Sequence, residues 1–192
     1  MKKVIFILAI TLVFSSLTSK AQSSYNTAPR EFFGPTINLG AGIGYYGYAG
    51  RPAPAVMLNV ELDIARNITL APFIGFYSYT NNYYWGNPKY PYRYYSYRET
   101  VVPVGIKGAY YFDQLFKATE KWDFYAAATL GFAFRTVTWD NGYYGERNVV
   151  SGASPIYATA HIGSRLHITP KFGIFLDLST GFSTFGLSFK LK

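Results

Sequence analysis

His161 and His167 are the chain's only imidazoles, and it has no cysteine. The two histidines lie on one face of a single expected strand. Six residues of strand span roughly 20 Å at about 3.3 Å per residue, so they cannot ligate one metal ion. Hydrogen-bonded interior histidines are expected instead, and His161 is placed where it could pair with an inward carboxylate. The absence of cysteine excludes a thiolate metal site, a disulfide scaffold and an acylated lipoprotein anchor. Gly42-Ile43-Gly44-Tyr45-Tyr46-Gly47 matches a dinucleotide-binding pattern by letters. Gly50-Arg51-Pro52-Ala53-Pro54 follows it, so no helix offers its N-terminus to a phosphate. Asp177-Leu178-Ser179-Thr180-Gly181 lacks the first glycine of a nucleophile elbow and the strand-to-helix turn that motif needs. No catalytic, cofactor-binding or metal-ligating residue is assigned, and an enzyme is not expected.

The charged residues make a more specific pattern. Glu61, Asp63, Lys107, Arg135, Arg165 and Asp177 each fall on the face opposite an apolar row. Charges taken out of water must be paired. If these faces turn inward, the six residues are expected to form a cross-barrel network of ion pairs, and Arg165 is expected to be needed for stability. The alternative is a gate whose pairs rearrange to pass ions.

Whether they meet depends on the elements that carry them. Residues 55–65 alternate without exception: Val56, Leu58, Val60, Leu62 and Ile64 against Ala55, Met57, Asn59, Glu61 and Asp63. That is the period of a strand. The same period predicts strands over 36–46, 98–112, 123–138, 154–168 and 172–182, and a last one carrying Phe185, Leu187, Phe189 and Leu191. A further strand over 68–79 has apolar residues on both faces. Pro72 and Pro103 are each expected to cause a local bulge or leave an unpaired N–H. The joins 66–67 and 169–171 are short and 113–122 is moderate, whereas 47–54, 80–97 and 139–153 are long. The join at Ser183-Thr184 is short and breaks that alternation. Eight strands with short turns at one end and long loops at the other predict an all-β, up-and-down, antiparallel transmembrane β-barrel.

A soluble eight-stranded barrel is the competitor. It would put the apolar face inside and charges outside. The second face here is mostly Gly, Ala, Thr, Ser, Asn and Tyr with isolated charges, which suits a narrow interior. Only 15% of residues are charged and 20% are aromatic, against roughly 25% charged in ordinary domains. Aromatic girdles are expected at both rims: Tyr45, Tyr46, Tyr77, Tyr79, Trp139 and Tyr157 at the outer one, and Tyr110, Tyr111, Phe112, Trp122, Phe124 and Phe172 at the inner one.

Residues 1–21 read as a secretory signal, with Lys2 and Lys3, the apolar run Val4–Phe14 and the small-x-small site Ser19-Lys20-Ala21. Its removal would lower the formal net charge from +8 to +5. Residues 22–33 would form a periplasmic N-terminal segment and 34–192 the barrel.

Three stretches carry a family resemblance. They are Val102-Pro103-Val104-Gly105-Ile106-Lys107-Gly108-Ala109-Tyr110-Tyr111-Phe112, Trp122-Asp123-Phe124-Tyr125-Ala126 with Leu130-Gly131-Phe132, and Gly163-Ser164-Arg165 through the last two strands to Gly186-Leu187-Ser188-Phe189-Lys190. Through them the chain resembles the small outer-membrane β-barrel proteins of Gram-negative bacteria, the OmpX-like and OmpA-transmembrane-like group. The resemblance covers nearly all of 34–192. It implies location in the cell outer membrane, contact with outer-membrane lipid and lipopolysaccharide, and insertion by the barrel-assembly machinery. It implies no single activity. Lys192 stands where many such barrels end in an aromatic residue, with Phe189 the nearest substitute.

Loop 80–97 is either a rim extension whose aromatics rest at the membrane interface or a candidate surface-recognition loop, through Tyr83, Tyr84, Trp85, Lys89, Tyr90, Tyr92, Arg93, Tyr94 and Tyr95. Tyr and Trp supply contact area at low entropic cost. An extracellular ligand or host surface is the expected partner, not a nucleic acid, and the barrel is expected to be a monomer without cofactor. A structural or surface-interaction protein is the leading reading, followed by a narrow passive channel, then an outer-membrane lipid-modifying enzyme.

Overall fold

A computed structural model describes residues 34–44, 53–84, 94–112, 121–139 and 155–191. They form eight strands: β1 (Thr36–Gly44), β2 (Ala53–Ala65), β3 (Ile68–Tyr84), β4 (Tyr94–Tyr111), β5 (Trp122–Trp139), β6 (Ile156–Thr169), β7 (Phe172–Ser179) and β8 (Phe182–Lys190). Each pairs antiparallel with its sequence neighbours, and β1 pairs with β8 from Thr36↔Lys190 to Gly44↔Phe182. The sheet therefore closes as an up-and-down β-barrel. Closure leaves no edge along the wall, which is the condition for a sheet to sit in lipid. The expected signal segment 1–21 and the segment 22–33 lie outside the described residues, as do most of the long connections.

The two faces are those of a transmembrane barrel. Leu130 is 66% exposed, Phe134 63% and Ile162 59%, whereas Arg165 is 3% exposed and Asp177 is fully buried. A water-soluble protein arranges these residue types the other way round. Outward rows such as Leu39–Leu58–Ile74 and Val104–Phe132–Ile156 run across neighbouring strands in register. Among the described strand residues on the outward face, Arg98 is the only charge.

Several strand ends differ from the sequence reading. β3 and β4 continue as a paired hairpin, with Thr80↔Arg98, Asn82↔Ser96, Tyr83↔Tyr95 and Tyr84↔Tyr94 opposite one another. Much of 80–97 is thus strand rather than loop. Tyrosines and asparagines read as loop residues when counted singly, but they make a ladder once two such runs lie opposite each other. β7 stops at Ser179, not at 182. The Ser179 hydroxyl accepts the Gly181 N–H at 3.0 Å and donates to the Phe182 carbonyl at 2.5 Å, building the turn from one side chain.

Neither proline produces a bulge. The β3–β4 register is the same on both sides of Pro72 and Pro103. Each proline instead coincides with a short gap in pairing on one side of its strand: β2–β3 pairing skips 71–72, and β3–β4 pairing skips 102–103. The register shifts lie at turns, between Asp63 and Ala65 and between His167 and Thr169. In the two-residue turn Arg66–Asn67, Asn67 takes φ 57°, a left-handed conformation that asparagine tolerates better than most residues.

The aromatic girdles need correction. Tyr77, Tyr111 and Tyr157 are each 1% exposed and point inward, not to the rim. At the short-turn end, Trp122 stacks on Phe124 with ring centroids 6.0 Å apart, Phe172 meets Phe189 at 5.3 Å, and Tyr110 is exposed. Tyr45 and Tyr46 lie outside the described residues.

Candidate functional site

The barrel interior is layered, and the layers follow from which inward positions share a level. At the short-turn end, Asp63 accepts the Gly34 N–H at 2.7 Å and pins the entry of the chain into β1. Asp123 on β5 accepts from His167 Nε2 at 2.7 Å and lies 3.6 Å from Arg165 Nη1.

Above this sits the densest part of the network. Arg165 on β6 donates to Glu61 on β2, and Glu61 also accepts from Tyr111 and, at 2.7 Å, from Thr69. Asn38 joins β1 to it by donating to Glu61 at 3.1 Å, and it also donates to Asn59 and accepts from Ser188. Lys107 on β4 pairs with Asp177 on β7, and the same Asp177 oxygen accepts the Tyr125 hydroxyl at 2.8 Å. The Lys107 ammonium stands 4.6 Å from the Tyr125 ring centre. Tyr125 reaches this place over Gly163, where an added Cβ would lie 2.3 Å from the ring. A cavity of ≈ 10 Å³ remains between these side chains, space for no more than one water.

His161 caps the network. Asp177 can only accept, so His161 Nδ1 donates to it at 2.7 Å. Nε2 lies 2.6 Å from Thr129 Oγ1 and 2.7 Å from Thr159 Oγ1. In an open cleft, hydroxyl, imidazole and carboxylate in this order could activate a nucleophile. Here all four residues are buried.

An apolar layer closes the interior toward the long-connection end. Ala53, Ala55, Met57, Phe73, Tyr77, Val101, Tyr157 and Phe182 pack together, with Phe182 fully buried. Its ring meets Tyr77 edge-on at 5.3 Å and lies against Gly44 and Gly75, whose missing side chains make room for it.

Beyond that layer, β3, β4 and β5 continue as a three-stranded extension. The outward face changes character along one row. Phe76, Val102 and Phe134 are followed by Ser78, Thr100 and Thr136, and then by Thr80, Arg98 and Thr138. Ser78 and Thr100 share a hydrogen bond at 3.2 Å. The apolar belt ends there on all three strands. The inward face of the extension carries Tyr79, Asn81, Tyr97, Glu99, Arg135 and Trp139. Glu99 pairs with Arg135, and burial and then the hydrogen bond to Glu99 raise the Tyr79 phenol above its ordinary range. Tyr97 and Trp139 bring their rings to 4.9 Å.

Of the sequence-derived charges, Glu61, Lys107, Arg165 and Asp177 share the buried network. Asp63 lies at the rim and Arg135 in the separate outer layer. Of the recognition residues, Tyr83, Tyr84, Tyr94 and Tyr95 lie in the paired backbone of the hairpin, and Trp85, Lys89, Tyr90, Tyr92 and Arg93 lie outside the described residues. Sequence reading did not single out Asp123 and Glu99 as network members. Their parity with Arg135 and Lys107 is the signal that could have found them. It assigned Tyr111 to a girdle, because tyrosine suits either face of a strand.

No protein-family model and no curated protein matches the chain. Solved structures of similar form include a barrel from the de novo design of transmembrane β-barrels, with 12% identity, TM-score 0.49, and coverage of 85% of this chain and 100% of that one. They also include Ail, the attachment invasion locus protein of Yersinia pestis, solved with the heparin analogue sucrose octasulfate, with 10% identity, TM-score 0.49, and 81% and 95% coverage. Neisserial surface protein A gives 12% identity, TM-score 0.47, and 82% and 96% coverage.

Proposed function

We propose that the chain is a small outer-membrane β-barrel of the Gram-negative envelope that holds its β3–β4–β5 extension at the cell surface as an interaction platform. The observation that carries this is the row at which the outward face turns from Phe76–Val102–Phe134 to Ser78–Thr100–Thr136. Below it the wall suits hydrocarbon, and above it three paired strands suit water on their outward face. The extension is therefore backbone-paired structure held clear of the bilayer by a closed wall, the kind of rigid support on which a binding surface keeps its shape. The filled interior supports an anchor more than a conduit, because Phe182, Tyr77 and Tyr157 pack together in it.

The chain has no cysteine, so single cysteines report topology cleanly. In intact Gram-negative cells, Asn82→Cys should react with a membrane-impermeant thiol reagent, and Asn67→Cys should react only after the outer membrane is opened. Equal reaction at both positions, or recovery of the protein outside the membrane fraction, would contradict the proposal.

A further inference from the structure

The outward face just above the apolar belt carries two polar rows: Ser78–Thr100–Thr136, then Thr80–Arg98–Thr138. Arg98 is exposed, and it is the only charge on the outward face among the described strand residues. Hydroxyl side chains surround it. Thr80 and Thr138 stand on either side in its own row, and Ser78, Thr100 and Thr136 fill the row below. Its guanidinium has no ion-pair or hydrogen-bond partner among the described residues.

The depth of Arg98 selects the kind of partner. Val102 is the last apolar outward residue of β4 and lies roughly 13 Å from Arg98 along the strand, at about 3.3 Å per residue. With strands tilted by about 40°, the two are about 10 Å apart along the membrane normal. The hydrocarbon ends between Val102 and Thr100, and the headgroup layer beyond it is about 5–7 Å deep. Arg98 thus has its backbone near the outer limit of that layer, and its long side chain reaches down into it.

The wall around Arg98 gives the partner's chemistry. A guanidinium with free N–H donors takes phosphate oxygens in pairs. The hydroxyls beside it both donate and accept, as the hydroxyls of a sugar do. Below these rows an apolar groove of ≈ 380 Å³ lies on the outward wall between Leu39, Val56, Leu58, Ile74, Phe76 and Val102. Its Val102 end is on the strand that carries Arg98. A cation above, hydroxyls around it and an apolar groove beneath match a phosphorylated sugar headgroup that carries acyl chains.

We propose that this outer wall holds one phosphorylated glycolipid of the outer leaflet: a phosphate on Arg98, sugar hydroxyls on Thr80, Thr100 and Thr138, and an acyl chain in the groove. The inference rests on the surface-display reading, which puts this end of the barrel in the outer leaflet, and it gives the base of the platform a lipid partner.

The test uses the full mature chain, refolded in non-ionic detergent, with folding verified by a heat-dependent gel shift and bound lipid read by native mass spectrometry. The probes are lipid A bearing its phosphates, lipid A stripped of them, and phosphatidylglycerol. The expected result is a single lipid A held by each barrel, with the stripped form and phosphatidylglycerol each about tenfold weaker. Arg98→Gln should weaken lipid A binding about tenfold, whereas Lys171→Gln, in the turn between β6 and β7 at the opposite end of the barrel, should leave it unchanged. Equal binding of lipid A with and without its phosphates overturns the site on the parent protein alone. Phosphatidylglycerol that binds as tightly as lipid A overturns the assignment to a glycolipid. A folded Arg98→Gln protein that holds lipid A as the parent does overturns the role of Arg98. Detergent micelles have no leaflets, so this result is independent of orientation, and the thiol labelling tests surface display separately.

Discussion

Arg165 is the residue on which the inner network turns. It is 3% exposed, donates to Glu61 and stands beside Asp123. Its removal would leave two buried carboxylates short of their cation, and breaking a buried pair in this way costs about 3–5 kcal/mol. Arg165→Ala is therefore expected to lower the urea midpoint of the refolded protein by an amount readily measured. An unchanged midpoint would mean that water replaces the guanidinium at little cost and that the network is not structural. Strand parity places Glu61, Lys107, Arg165 and Asp177 on the inward face from sequence alone. It does not tell which of them meet. That depends on levels around the barrel: β2 and β6 are far apart in sequence, yet the closed wall brings Glu61 and Arg165 to one height, whereas Arg135 stands above the aromatic layer and Asp63 below the network.

At the scale of elements, the outward face should divide the strands into a part that meets lipid and a part that meets water. Leu130 is opposite Ile106 and Ala158 within the belt, and Thr138 is opposite Arg98 in the extension. A lysine facing lipid near the midplane costs about 2–4 kcal/mol. Leu130→Lys should thus destabilise the barrel in lipid vesicles by an amount in that range, whereas Thr138→Gln, in the extension, should have a negligible effect. Similar losses at both positions would place the extension inside the bilayer. The strands of this belt were legible because period two with an uncharged outward face persists along them. The strand ends 80–84 and 94–97 were not legible as strand. Their Thr-Asn-Asn-Tyr-Tyr and Tyr-Tyr-Ser-Tyr runs show no apolar alternation. The end of β7 was missed for a different reason: Ser179 builds its turn by side-chain hydrogen bonds, and hydrophobic period carries no trace of them.

For the whole molecule, the account rests on a closed wall with a filled interior. Charged side chains occupy two layers, and the packed rings of Phe182, Tyr77 and Tyr157 lie between them. An eight-stranded wall leaves room for side chains and little else, and the space within the lower layer is ≈ 10 Å³. The most direct test is single-channel recording from the mature chain, refolded, verified by its gel shift and inserted into a planar bilayer. A folded protein that inserts and stays electrically silent is expected. Discrete, reproducible openings would contradict it, because ions would then have a path through the aromatic layer that the packed interior does not provide.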